Sequence, residues 1–569
     1  MLKTCNLVEL FSGIGSQAKA LKNLGLEVNT LGTCEWDIHA IAAYDVIHNS
    51  PAIDEDVAKM NKEDLLSSLK NYTFSNSGKT ALEFSSLSTY SVEVLQRILM
   101  SIRRNKNFVD ISCLKGSNLP GNIDILTYSF PCQDLSNVGA LHGYNKGIDK
   151  NSGSRSSLLW QVGRILTEMR QEKKNLPRFL LMENVPTLLS KRHFQNFSTW
   201  IEDLADLGYV SQYYQLNATS FGLPQNRPRL LMISVYVGDN FFAWHRVKDY
   251  FSKKSRPDDV VCDYQSSEFY KPVTVRDLLR TNYSNPKIRA EAIECTPNDT
   301  PSRKKIWDEN PKIILEDGSF NQEIDTVRTI TTKQDRNPNS GNLFFESEID
   351  GRSKFRYLTP RECLLFMGFM DEDFRRLKNN NLEFHKGDAI FSRDKVIRMA
   401  GNSIPVKLLE GIFYQIIQID KLLKDGYMQE HRLENTQLSE FYSKMIRSYA
   451  FQRGIRCRMG TEAFPRTATV VYPKYRTAIY VCSDYILNRS SSLGDIVYWE
   501  KHINGHLAAA KEQCKEALDM GWNAILVLQC ELDNESKEST LSWLVDTIQS
   551  NFPNKTNSSK KQAMLFFKN

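Results

Sequence analysis

The chain has no long apolar run. Its 569 residues are 41% hydrophobic, yet no stretch approaches the roughly 20 apolar residues of a membrane-spanning helix. No membrane partner is expected. Paired cysteines are also missing: the eleven are scattered, and no CxxC pair occurs. That argues against a structural zinc site and a disulfide framework, and it fits thiols in a reducing compartment. Nor is there a strong excess of one charge. A net +6 on a chain that is 25% charged permits a nucleic-acid partner without demanding one. The first residues, Met1-Leu2-Lys3-Thr4-Cys5-Asn6, lead straight into a strand-like run and not into a leader. The expectation is a soluble, cytoplasmic protein of two or three domains.

What is present is an alternation of short apolar runs and helical stretches. Leu7 to Leu10 reads as a strand, Phe11-Ser12-Gly13-Ile14-Gly15-Ser16 as a turn, and the next residues as a helix that stops at Gly25. A second strand runs from Glu27 to Glu35. Such alternation predicts an α/β fold, a doubly wound sheet with helices on both faces. Glycines let a backbone turn sharply and approach a ligand. Phe11-x-Gly13-x-Gly15 therefore fits a nucleoside-type cofactor, with Glu35 placed for ribose hydroxyls and Trp36 for the base. Asp110-Ile111 reads either as a further cofactor contact or as a turn aspartate. Residues 61 to 108 read as an insertion, helical from Ser91 to Arg104.

The central stretch is Asp124-Ile125-Leu126-Thr127-Tyr128-Ser129-Phe130-Pro131-Cys132-Gln133. Pro131 stops the strand and fixes the backbone before one thiol. A lone cysteine is usually structural, so a nucleophilic Cys132 needs partners. A long polar loop follows, Asn137 to Ser157, of the kind that closes over ligands. The next strand ends in Glu183-Asn184-Val185-Pro186, which puts a carboxylate on the same edge as Cys132 and makes it a candidate acid or base. Two more strands, 209–219 and 229–236, flank Gln225-Asn226-Arg227-Pro228-Arg229. Taken alone, Arg227 and Arg229 read either as surface charge or as a pair with a member facing the active edge. From 241 to 355 the pattern breaks into aromatic and basic residues without clear helical period, which suits DNA contacts or an ordinary loop-rich domain. Regular structure returns at Arg356, with Thr359 as a helix cap and Pro360 behind it. Gly401-Asn402-Ser403 opens a further helix.

In their order these motifs resemble those of the DNA cytosine-5 methyltransferases, over residues 6 to about 420. The resemblance implies S-adenosylmethionine as cofactor, bound by Phe11, Gly13, Gly15, Glu35, Trp36, Asp110, Ile111, Pro131, Asn402 and Ser403. It implies catalysis by Cys132, Glu183, Asn184, Arg227 and Arg229, with DNA contacts from Gln133, Ser136, Arg155 and Thr329, and no metal. Residues 1–240 and 356–420 become the catalytic domain and 241–355 the target recognition domain. Ser129 to Ser136, with Gly153-Ser154-Arg155-Ser156, is most similar to the bacterial restriction-modification branch. That implies double-stranded DNA as partner, a companion restriction endonuclease, a monomer and a GATC-like target. An RNA methyltransferase is the runner-up, and the long 241–355 segment argues against it. An idle DNA-binding protein would require loss of Cys132, Glu183 or Arg229, and all three are present.

Residues 421–440 read as a charged linker and 441–569 as a second domain. Tyr472-Pro473-Lys474-Tyr475-Arg476, Tyr498-Trp499 and Gly521-Trp522 with Cys530-Glu531-Leu532 resemble the very-short-patch repair endonucleases. Thr469 stands where that family has its metal-binding aspartate, and a hydroxyl cannot replace a carboxylate as a magnesium ligand. The expectation is an endonuclease-like α/β domain that does not cut, which disfavours a bifunctional methyltransferase-nuclease.

Overall fold

Four apolar, largely buried runs and two more polar, partly exposed ones at the sheet edges pair into one six-stranded sheet. They are β1 (Thr4–Leu10), β2 (Glu27–Cys34), β3 (Ile125–Tyr128), β4 (Phe179–Asn184), β5 (Tyr209–Asn217) and, after the two-residue β6 (Gln225–Asn226), β7 (Pro228–Tyr236). The computed structural model describes residues 3–50, 52–131, 158–238, 241–335, 340–385, 387–430, 436–455, 468–482, 508, 510–528, 532, 537–550 and 564–566. The chain divides into two compact units, Met1–Leu422 and Leu423–Asn569.

The sheet order is β2-β1-β3-β4-β7-β5. The pairs among β1, β2, β3 and β4 are parallel, and β7 runs antiparallel to both β4 and β5. Register then fixes the site. Leu10 pairs with Cys34 and with Tyr128, and Tyr128 pairs with Met182, so the residues that follow β1, β2 and β3 leave the sheet at one edge. Because β7 is reversed, it begins where β4 ends: Leu230 lies opposite Asn184. Ligands of open α/β sheets bind outside this carboxyl edge.

One face of the sheet packs on the helices Leu159–Gln171 and Phe194–Asp206 through Tyr128, Met182, Val162, Leu166 and Trp200, all essentially inaccessible. The Trp200 indole finds a partner in the Tyr128 hydroxyl at 3.1 Å, as a buried indole N–H requires.

The 241–355 segment is more regular than its sequence implies. It forms helices at Phe241–Lys253, Pro257–Gln265, Val275–Leu278, Pro286–Glu294 and Pro301–Glu309. None exceeds 13 residues, too short to display a clear period. Their signal is at the caps: Thr274, Asn285 and Thr300 accept from the amides of Asp277, Lys287 and Arg303, with Pro286 and Pro301 at first helical positions. Beyond it, Thr359 and Glu362 form a reciprocal capping box. The same carboxylate takes two hydrogen bonds from Arg356, at 2.8 and 2.9 Å, with both side chains fully buried.

The helix Val406–Glu430 runs through the first part of the expected linker. In the second unit, strands Val470–Tyr472, Thr477–Cys482, Asn523–Leu528 and Met564–Phe566 lie in that order, the first pair antiparallel and the others parallel. Helices Thr436–Gln452 and Lys537–Ser550 cover them through Tyr442, Ile446, Leu541 and Leu544. The Thr469 hydroxyl accepts from the Val481 amide at 3.0 Å.

Candidate active site

A cavity of about 470 Å³ opens at the carboxyl edge of the sheet. Its wall includes Phe11, Gly13, Glu35, Trp36, Asp110 and Ile111 on one side, and Pro131, Glu183, Asn184, Arg227 and Arg229 on the other. Asn402 and Ser403 join from much later in the chain.

The β1–helix turn is tight. Phe11, Gly13 and Gly15 all have positive φ, at 59°, 52° and 79°. The two glycines do different things. A Cβ on Gly13 would meet nothing within 4 Å, so Gly13 leaves the cavity open. A Cβ on Gly15 would fall 2.3 Å from His48 Nε2 and 2.7 Å from the Tyr44 ring. Gly15 does not line the cavity; it caps the helix Ser16–Asn23 and lets it sit on Tyr44 and His48.

Glu35 closes this half. Its Oε2 accepts from the Gly13 amide at 3.0 Å, and its Oε1 accepts from those of Trp36 and Asp37 at 2.9 and 2.8 Å. Burial, helped by Asp37, pushes its pKa up to about 7 against those three donors. Sequence reasoning missed Asn107, whose side chain donates to the Glu35 carbonyl and accepts from the Glu35 and Val109 amides, all at 2.9–3.0 Å. Val109, a β-branched residue at φ 63°, carries the chain into Asp110. Strained backbone of this kind collects at functional sites. Asp110 itself accepts from the Ser112 amide at 2.9 Å, so its turn role and its place on the cavity wall coexist.

The other half centres on Glu183, whose Oε1 lies 2.9 Å from Arg229 Nε. Burial raises the Glu183 pKa, while Arg229 and Arg227 pull it back. Asn184 does not share that carboxylate's work. Its amide donates to the Phe130 carbonyl at 3.0 Å and so holds the chain just before Pro131. Ser129 ties the same segment to the Phe11 carbonyl at 3.4 Å. Arg227 is a brace: its two terminal nitrogens donate to the carbonyls of Ile330, Gly401 and Ser403 at 2.7–2.8 Å. Gly401 must be glycine at this joint, since a Cβ would lie 2.5 Å from the Thr331 carbonyl carbon. Thr329 lies outside the cavity wall and donates to the Asn226 carbonyl at 2.6 Å. Cys132, Gln133, Ser136 and Arg155 lie outside the described residues. Among the described residues no group of three or more His, Cys, Asp or Glu side chains is placed to hold a metal, and no helix is long and apolar enough to cross a membrane.

A sheet of this order, with one reversed strand and a cavity at its carboxyl edge, is a mixed α/β fold of the methyltransferase kind. Residues 71–418 match the family described as C-5 cytosine-specific DNA methylase, and the chain belongs to that family. It is 31% identical over 421 residues to the orphan methyltransferase M.SssI of Spiroplasma monobiae, covering 73% of this chain and 97% of that protein. It is 29% identical to the type II methyltransferase M2.ScrFI of Lactococcus lactis subsp. cremoris, covering 72% and 98%. A crystal structure of the S. pombe Dnmt2 methyltransferase aligns at 16% identity and a TM-score of 0.41, covering 73% of this chain and 99% of the other.

The family's methyl donor is S-adenosylmethionine, and the residues present fit it. The volume is that of a cofactor pocket. Gly13 leaves its wall open, the Glu35 oxygens suit hydroxyl donors, and carboxylates favour a sulfonium cation over a phosphate.

Proposed function

We propose that this enzyme methylates C5 of a cytosine flipped out of double-stranded DNA, through a covalent bond from Cys132. The observation that carries the reading is the Glu183–Arg229 pair, set on the same cavity wall as Pro131, the residue before Cys132. Cytosine C5 is a weak nucleophile. Addition of the Cys132 thiolate to C6 makes C5 enamine-like while Glu183 supplies a proton at N3. Arg229 orients Glu183 and stabilises charge on the ring carbonyl. S-adenosylmethionine supplies the methyl group as an electrophile. Loss of the C5 proton then expels the thiolate and restores the ring. A base within a duplex is out of reach, so the target is extruded. Asn184 and Arg227 act by positioning: one holds the root of the Cys132 loop, the other braces the Gly401–Ser403 wall. Phe11, Gly13, Glu35, Trp36, Asp110, Ile111, Asn402 and Ser403 take the cofactor.

Residues 241–355 are read as the target recognition domain, with Gln133, Ser136, Arg155 and Thr329 as further DNA contacts. The likeness of residues 129–136 to the corresponding loop of GATC-recognising members supports a GATC-like target. The type II name of M2.ScrFI supports a role in protecting DNA from a companion restriction enzyme, whereas the orphan name of M.SssI supports action alone. Residues 441–569 are read as an endonuclease-like domain that does not cut. The Thr469 hydroxyl, occupied by the Val481 amide, offers no carboxylate at the position where that family binds its metal.

Bisulfite sequencing of plasmid DNA treated with the enzyme and S-adenosylmethionine reads both the methylated base and its sequence context. Protected cytosines within one short sequence are expected, and none with Cys132→Ser. Undiminished methylation by that variant would overturn the covalent route.

A further inference from the structure

Three segments far apart in sequence meet at the cavity edge beside Trp36. Asp37 caps the helix Ile38–His48, its Oδ1 accepting from the His39 amide at 3.0 Å. Its other oxygen accepts from Arg398 Nη2 at 2.8 Å. Arg398 Nη1 donates to the Asn76 carbonyl at 3.0 Å. Ser75 is laid against this joint by backbone bonds on both sides: its amide donates to the Trp36 carbonyl at 2.8 Å, and its carbonyl accepts from the Ile38 amide at 3.0 Å. The Ser75 hydroxyl then closes the turn, accepting from the Gly78 amide at 2.9 Å and donating to the Thr80 carbonyl at 2.6 Å. That turn brings Gly78 to the cavity wall, and Met399, next to Arg398, reaches it from the other side.

We propose that the Phe74–Thr80 turn is an additional wall of the cofactor site on its adenine side. Arg398 is the positioning residue that fastens this turn, and the helix Arg393–Asn402, to Asp37. The inference rests on the reading that the Glu35–Trp36 end of the cavity takes the adenosine. The turn belongs to an insertion between sheet units; Phe74 anchors its start in the packed core, and beyond it the place of Asn76 to Thr80 on the wall depends on a few directed bonds. The Arg398–Asp37 pair is the charged bond among them and is mostly withdrawn from water, with side chains 22% and 9% exposed. Charge-assisted bonds in such settings are stronger than neutral ones. Removing one partner leaves the other charge buried and unpaired.

The test uses the full-length enzyme and S-adenosylhomocysteine, the product form of the cofactor, as probe. Arg398→Met keeps the apolar stem and removes the charge. Its dissociation constant for the probe, and its KM for S-adenosylmethionine, should rise about tenfold, the factor that one lost charge-assisted bond commands. Its kcat at saturating cofactor should stay within about twofold. Lys79 is exposed, so trypsin cleavage after it reports on the turn. Saturating probe should slow that cleavage in the wild type and fail to do so in the variant. Asp37→Asn retains the helix-capping oxygen and should reproduce the shift, with the double variant no worse than either single one. Unchanged affinity together with unchanged protection of Lys79 would overturn the inference, as would a parallel loss of kcat and Tm without a KM effect. A wild type that binds no S-adenosylhomocysteine would instead overturn the cofactor reading itself.

Discussion

Arg229 Nε sits 2.9 Å from Glu183 Oε1 because the reversed strand β7 begins where β4 ends. The pairing bears on the protonation of Glu183, the carboxylate proposed to serve the base. Burial holds the Glu183 pKa up, and Arg229 is the first group opposing it. A reaction that needs the proton on Glu183 is lost as pH rises through that pKa. Arg229→Ala should lower kcat about 100-fold, the scale of losing one preorganised charge partner. It should also move the falling limb of the pH–rate profile upward, because the opposing charge is gone. Tritiated methyl transfer measured across pH checks both. A limb that stays in place would separate Arg229 from the proton on Glu183.

Glu35 gives a second pH dependence, of opposite direction and on another quantity. Its carboxyl is held up at about 7 by burial, while ribose hydroxyls need an ionised acceptor. Cofactor affinity should therefore be constant at alkaline pH and fall about tenfold between pH 8 and pH 6. Glu35→Gln should bind more weakly at pH 8 and lose the dependence. Calorimetric titration with S-adenosylhomocysteine at several pH values decides it; a flat wild-type profile would remove Glu35 from the hydroxyl contacts.

Glu9 belongs to stability, not to the cavity. It is fully buried in β1, accepting from the Ala18 amide at 3.2 Å and from the Tyr44 hydroxyl. Burial raises its pKa from 4.5 to about 7. A carboxyl raised on folding favours the folded state fully below its unfolded pKa, and that contribution is lost as pH rises through the folded value. The window is therefore pH 4.5 to about 7, worth about 3 kcal/mol across it. His48, lowered to about 3 by burial, acts in the other direction, so the wild-type curve alone mixes the two. The difference in Tm between Glu9→Gln and wild type isolates Glu9. It should grow in favour of the variant from about pH 5 to pH 7 and then level off. Parallel curves would show that Glu9 does not titrate in this range.

The carboxyl-edge elements were legible because each is a short apolar run ended by a chemically distinctive residue: Phe11 after β1, Glu35 after β2, Pro131 after Phe130, and Glu183 near the end of β4. Their meeting follows from strand register, which periodicity does not reveal. The helices of residues 241–355 escaped detection because they are short, and their information sits in Thr274, Asn285-Pro286 and Thr300-Pro301. The bracing roles of Arg227, Asn107 and Arg398 were opaque for another reason. Each donates to a backbone carbonyl of a distant segment, and a carbonyl has no sequence identity. Gly13 and Gly15 look equivalent in the sequence and differ only in what stands opposite them.

That difference between the glycines is measurable. Both lie at positive φ, 52° and 79°, so alanine at either costs about 1–2 kcal/mol of backbone strain. Beyond that the two part. At Gly13 the added methyl meets no protein atom within 4 Å and stands at the cavity wall, where the cofactor is proposed to bind. At Gly15 it meets His48 and Tyr44 inside 3 Å. Both are ring side chains in the packed helix Ile38–His48, and forced repacking costs a further 1–3 kcal/mol or so. Gly13→Ala should fold with a modest drop in Tm and bind S-adenosylhomocysteine at least tenfold more weakly. Gly15→Ala should show the larger drop in Tm and, at temperatures where it remains folded, the smaller loss of affinity. Thermal unfolding and calorimetric titration on the two proteins side by side check this. Should the order of the two effects be the same in both measurements, the division of labour between Gly13 and Gly15 is wrong.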